Sequence, residues 1–165
     1  MANNISDILN GSQLIVSVGG DVVAFATSCS LSFTTNTTEI ATKEFGKYPG
    51  KVIQSVEWEI QAENLACDDN IEALMQLLET QAGNGQPVQI KFGQMESTDW
   101  ANGKGTAGAQ GAIGTITAPT TKVYLEGNAI ISGLSMNAAV GDNSSISATF
   151  TGVGAPTNWS GTQGT

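Results

Sequence analysis

Apolar and polar residues alternate along two long stretches of this chain, 28–42 and 51–65, on either side of the turn-like segment 45–50. In the first, Cys29, Leu31 and Phe33 face one way while Ser28, Ser30, Ser32 and Thr34 face the other. In the second, Val56, Trp58, Ile60 and Ala62 alternate with Ser55, Glu57, Glu59, Gln61 and Glu63. A period of two over such lengths predicts antiparallel strands with one apolar and one wet face. Strands beyond about ten residues are long for a small domain. They leave long backbone edges that need partners.

The same patterning organises the rest. Residues 13–18 and 22–27 flank Gly19-Gly20-Asp21, a hairpin whose glycines supply the positive φ of a tight turn. Past Leu65 the period changes. Ile71, Leu74, Met75 and Leu78 form the apolar stripe of one helix, with Asp69 and Glu72 placed as a capping box and Gly83 and Gly85 as terminators. Residues 87–92 read as a strand. The glycine-rich connection 93–121 is long for a compact domain, which predicts a functional loop or an outer-surface insertion. Residues 122–136 resume strand character, with a phase slip at Ile130-Ile131 that predicts a bulge, and 144–151 turn Ile146, Ala148 and Phe150 inward. The expected order is β-β-β-β-α-β-loop-β-β, mainly β. Two antiparallel sheets packed face to face, as a sandwich or half-barrel with one helix, are its simplest architecture. The expected core includes Leu31, Phe33, Trp58, Ile60, Leu74, Leu78 and Phe150. Residues 1–11 and 153–165 read as terminal arms around a domain spanning 12–152.

Composition narrows the chemistry. A chain of 165 residues, 40% apolar, is one domain with enough material for a packed core. It has no histidine and no arginine; its six cations are lysines, and Lys43, Lys47 and Lys51 cluster between the two long strands. Lack of histidine removes the commonest general base and metal ligand, and lack of arginine the bidentate phosphate clamp. A net charge of −9 repels nucleic acid. These features argue against an enzyme and against a DNA-gripping protein, and no cofactor is expected. Asp68, Asp69 and Glu72 lack the spacing of a calcium loop, and the glycine-rich segments lack a phosphate-binding lysine pattern. Two cysteines do not make a disulfide framework, and Cys29 reads as a buried thiol. The N-terminus carries neither a basic nor a continuous apolar segment, so synthesis in a cytoplasm without membrane contact is the expectation.

Five words follow one another along the chain: VGGDVVAFATSCSLSF at 18–33, TEIATK at 38–43, Trp58-Glu59-Ile60 before an acidic turn and helix, GNAIISGLS at 127–135 and TFTGVGA at 149–155. In this order they resemble the major tail (tail tube) proteins of long-tailed bacteriophages, of the TP901-1-like kind. The resemblance covers residues 12–92 and 122–156, and the segment 93–121 is longer than that family implies.

The resemblance implies a structural virion protein with no catalytic role, whose hexameric rings close into a β-barrel and stack into a tube. DNA would pass through the lumen in transit, without specific binding. Self-association, a tape-measure protein, a tail terminator and baseplate or tail-hub proteins are the implied partners. Glu57, Glu59 and Glu63, on one strand face, would line the lumen; a solvated outer face or a subunit boundary are the other readings. Lys43, Glu44, Phe45, Lys47, Tyr48 and Lys51 would form a ring-stacking loop, or else a solvated hairpin loop. The inner tube of a contractile injection machine or tailocin remains an alternative. A carbohydrate-binding β-sandwich using Trp100 as its platform is another, from a different class.

Overall fold

The computed structural model describes residues 14–22, 26–66, 68–94, 119–120, 122–138 and 140–158. Its elements are β1 (Leu14–Val18), β2 (Asp21–Val22), β3 (Ala26–Ile40), a 3-10 turn at Lys43–Phe45, β4 (Gly50–Leu65), α1 (Asp68–Asn84), β5 (Val88–Gln94), β6 (Val123–Asn137) and β7 (Ser145–Asn158). All seven strands join one antiparallel sheet in the order β2-β1-β5-β6-β7-β4-β3.

Two stacked sheets were the simpler expectation, and the structure replaces them with one rolled sheet. The thiol of Cys29 in β3 donates to the carbonyl oxygen of Leu14 in β1 at 3.5 Å, so opposite margins of the sheet meet. Long antiparallel strands twist and coil, which lets a single sheet enclose its own apolar face. That interior holds Val16, Trp58, Ile60, Ile90, Leu125, Ala129, Ile146, Ala148 and Phe150, closed on one side by Leu74 of α1. Burying a Phe or Ile side chain contributes about 1.5–3 kcal/mol.

Local chemistry accounts for the joints. Gly19 and Gly20 take φ of 65° and 100°, the left-handed pair a two-residue hairpin turn requires. Helix α1 points Ile71, Leu74, Leu77 and Leu78 at the core, whereas Met75, expected on that stripe, is exposed. Asp69 lies inside the first turn rather than ahead of it, since the helix begins at Asp68. At the other end Gly85 adopts φ 65° and its N–H donates to the Gln81 carbonyl at 2.8 Å, a left-handed cap.

In β6 the register slips between Ile131 and Gly133, at the position of the sequence phase change. Beyond it Leu134 rather than Gly133 packs on the core. Strand β7 continues to Asn158, so residues 153–158 extend the sheet where a free arm was expected. The rest of that arm and the N-terminal one lie outside the described residues, as does most of 93–121. Where that connection returns, buried Pro119 packs over Gly93, and the Gln94 N–H donates to the Lys122 carbonyl at 2.8 Å.

Candidate assembly surfaces

Strand β4 pairs with β7 only over Glu59–Leu65, while its pairing with β3 runs from Gly50 to Asn64. Outward of Trp58 the β3–β4 hairpin is therefore a two-stranded ribbon standing clear of the body. Every residue described from Ser32 to Pro49 and from Lys51 to Glu57 is exposed. Apolar side chains sit on both faces. Phe33, Val56 and Ile53 lie on the face continuous with the core, Ile40 and Val52 on the other, by the register Thr35↔Val56, Thr37↔Ile53 and Thr38↔Val52. A β4 bulge between Ser55 and Ile53 keeps Val56 and Ile53 on one face. Phe33, expected in the core, is 42% exposed because its β4 partner Trp58 lies beyond the last residue of β4 paired with β7.

At the tip, Lys43, Glu44, Phe45, Lys47, Tyr48 and Lys51 are all exposed. Tyr48 is 83% exposed, while Phe45 folds back so that a Cβ on Gly50 would stand 2.8 Å from its ring. Glu39 stands across the ladder from Lys51. The tip thus combines three lysines with two aromatic rings; exposed aromatics are enriched at protein interfaces, whereas lysines are depleted there.

Glu57, Glu59 and Glu63 occupy the β4 face opposite Trp58, Ile60 and Ala62. The side chains that hydrogen-bond to them are uncharged. Asn36 Nδ2 donates to Glu57 Oε1 at 3.1 Å, Gln61 Nε2 to Glu59 Oε1 at 2.7 Å, and Ser28 Oγ to Glu63 Oε2 at 3.5 Å. Across the ladders the same face continues through Ser30 and Ser32 of β3 and through Ser147, Thr149 and Thr151 of β7. There the hydroxyls bond to one another: Thr151 Oγ1 to Ser132 Oγ at 2.8 Å, and Ser135 with Ser147 at 2.7 Å. The result is a broad, hydroxyl-rich face whose charge is sparse and mostly negative; Lys91 on β5 is paired with Glu126 at 3.5 Å.

The backbone edges are uneven. Among the described residues, the outer edge of β3 has no neighbouring strand in the sheet. Strand β5 stops opposite Ala129, although β6 runs on to Asn137. At that step the side chain of Gln81 takes the place of a strand: Nε2 donates to the Ala129 carbonyl at 3.4 Å, and Oε1 accepts from the Ile131 N–H at 2.9 Å. Sequence reasoning passed over Gln81, since a glutamine late in a helix carries no pattern that points to a strand edge.

Trp58, Ile60, Leu74 and Phe150 are buried, with Leu31 and Leu78 half-buried against them. Trp100 lies outside the described residues. Among the described residues no group of three metal-ligating side chains converges, and no helix is long and apolar enough to cross a membrane.

The fold is similar to that of two solved structures. One is a chain from the virion of a native gene transfer agent particle, with TM-score 0.60 and 11% identity, covering 90% of this chain and 97% of that one. The other comes from the tail of an empty gene transfer agent particle with C6 symmetry, with TM-score 0.63 and 14% identity, covering 92% of this chain and 98% of that one. No family model and no curated protein matches the sequence.

Proposed function

We propose that this chain is a structural virion protein of a phage-like tail, which assembles with copies of itself into stacked hexameric rings forming the tube through which DNA is ejected. The finer kinship with TP901-1-like major tail proteins belongs to this proposal. The observation that carries it is a fold shared along nearly its whole length with a chain from a C6-symmetric tail. The surfaces left uncovered here are those such a ring would cover.

Geometry supplies the manner of assembly. Four long strands lie consecutively as β6-β7-β4-β3. Rotation about an axis running roughly along them brings the free β3 edge of one copy beside the free β6 edge of the next. An even number of strands preserves the alternation, so this seam is antiparallel like every other ladder in the sheet. Leu31 and Phe33 at one margin would then meet Leu134 and Met136 at the other, on the core-facing side. Closure of the ring pairs edges that a single copy leaves open. The ribbon and its tip reach toward the neighbouring ring, the lysines of the tip meeting carboxylates there. Heterologous contacts of this kind close around the axis and extend along it.

The hydroxyl-rich face with Glu57, Glu59 and Glu63 lines the bore, where sparse negative charge lets phosphates slide without adhering. A tape-measure protein, a tail terminator and baseplate or hub proteins are the further partners. The protein performs no catalysis, binds no cofactor and resides in the virion.

Negative-stain microscopy of the concentrated full chain tests this reading. Rings or tubes of uniform diameter are expected. Strictly monomeric protein at high concentration, together with a location away from the tail shaft in native particles, would overturn it.

A further inference from the structure

The ribbon departs from the body at one tryptophan. Glu59 is the outermost β4 residue paired with β7, opposite Thr151; Trp58 comes next, with only β3 beside it. Its indole reaches across the sheet to strands its own backbone no longer contacts. A Cβ on Gly152 would stand 2.0 Å from Trp58 Cε2, and one on Gly127 would stand 2.7 Å from Cζ2, so both positions are open only because they are glycine. The indole N–H donates to the Gly154 carbonyl at 3.0 Å. That carbonyl is presented where β7 bulges against β6, between Val153 and Asn158, with Gly154 at φ 75°. Trp58 is 3% exposed, although the next residue out, Glu57, is in solvent.

We propose that Trp58 is the positioning residue of the ribbon. Its indole, seated in the bay of Gly127 and Gly152 and held by the Gly154 carbonyl, fixes the direction in which residues 33–57 project and so aims the tip at the next copy. The consequence for assembly rests on the tube reading above; the positioning itself does not. A two-stranded ribbon lacks the packed face that stiffens a sheet, and it bends and twists about its base. A rigid ring wedged between base and body, with one directional hydrogen bond, removes that freedom. A core residue such as Phe150 also stabilises the body, but it stands opposite Ile60, inside the stretch where β4 is still paired with β7. The two roles therefore separate by experiment.

The test is a tip-to-body distance distribution by pulsed electron resonance. Spin labels go on Lys47→Cys and Asp142→Cys in full-length protein carrying Cys29→Ala and Cys67→Ala, kept dilute enough to remain monomeric. With Trp58 the distribution is expected to be narrow. Trp58→Phe keeps a ring but loses the N–H, and should broaden it while the body still melts cooperatively. Gly152→Ala drives the ring out of its bay and should shift the mean distance. In unlabelled protein, loss of the one hydrogen bond is expected to raise the concentration needed for assembly by about threefold to tenfold. Trp58→Tyr, whose hydroxyl offers a donor, would recover part of the narrowing.

An unchanged distribution in folded Trp58→Phe and Gly152→Ala monomers overturns the proposal, whatever the assembly data say. A broadened distribution in a protein whose parent never forms rings sustains the positioning role and removes the tube reading instead.

Discussion

Val56 and Ile60 lie on the same face of one strand, both β-branched, both alternating with polar neighbours. Ile60 is 0% exposed and Val56 is 46% exposed. Nothing about the residues themselves separates them. Ile60 sits where β7 pairs with β4 and Phe150 stands opposite, whereas Val56 lies beyond the last β7 partner. The body and the ribbon are thus built from the same alternating pattern, and they differ in whether the chain supplies its own cover. Alternation marks a face to be covered without naming what covers it. The proposed ring would cover the apolar groups that the ribbon exposes on both faces, such as Val52 and Ile53.

The sharpest way to break this comparison is to truncate one apolar residue in each region. Phe150→Ala is expected to destabilise the dilute monomer by about 3–5 kcal/mol. Ile53→Ala should change it by less than about 0.5 kcal/mol, as an exposed site does, while weakening assembly. Denaturant melts of the two variants at low concentration decide it; a large loss for Ile53→Ala would mean that the ribbon is covered within one chain.

A smaller effect is expected at the step between β5 and β6. Gln81→Ala strips the Ala129 carbonyl and Ile131 N–H of their partners, at a cost of about 1–3 kcal/mol. Hydrogen exchange at the Ile131 amide should accelerate in step. Unaltered exchange would show that some other group caps this edge.

Deleting residues 44–49 shortens the tip without touching the interior, so the melting temperature of the monomer should barely move while polymerisation stops. Normal tubes from this variant would remove the tip from the stacking contact.

The least effect concerns Cys29. Burial raises its thiol pKa above the ordinary value. The unfolded chain then ionises at lower pH than the folded one. The small stability this contributes is complete below the unfolded pKa and is lost as pH rises through the folded one. Alkylation at neutral pH should therefore be slower for Cys29 in the folded protein than in urea. Equal rates, followed by mass spectrometry of the Cys29 peptide, would contradict its half-buried placement.

Local chemistry settles a good deal here. Gly19-Gly20 specifies its turn, the slip at Ile130-Ile131 specifies a bulge, and the stripe from Ile71 to Leu78 specifies a helix, because each depends on side chains close together in the chain. Lack of histidine and arginine confines the chemistry with equal directness. What required the folded molecule was everything set by strand neighbours distant in sequence. Whether seven strands make two layers or one rolled sheet, whether Phe33 is covered, why Gly152 must be glycine, and what Gln81 does are all decided by register between remote segments. A period of two gives each strand a face; only pairing across the sheet gives that face its partner.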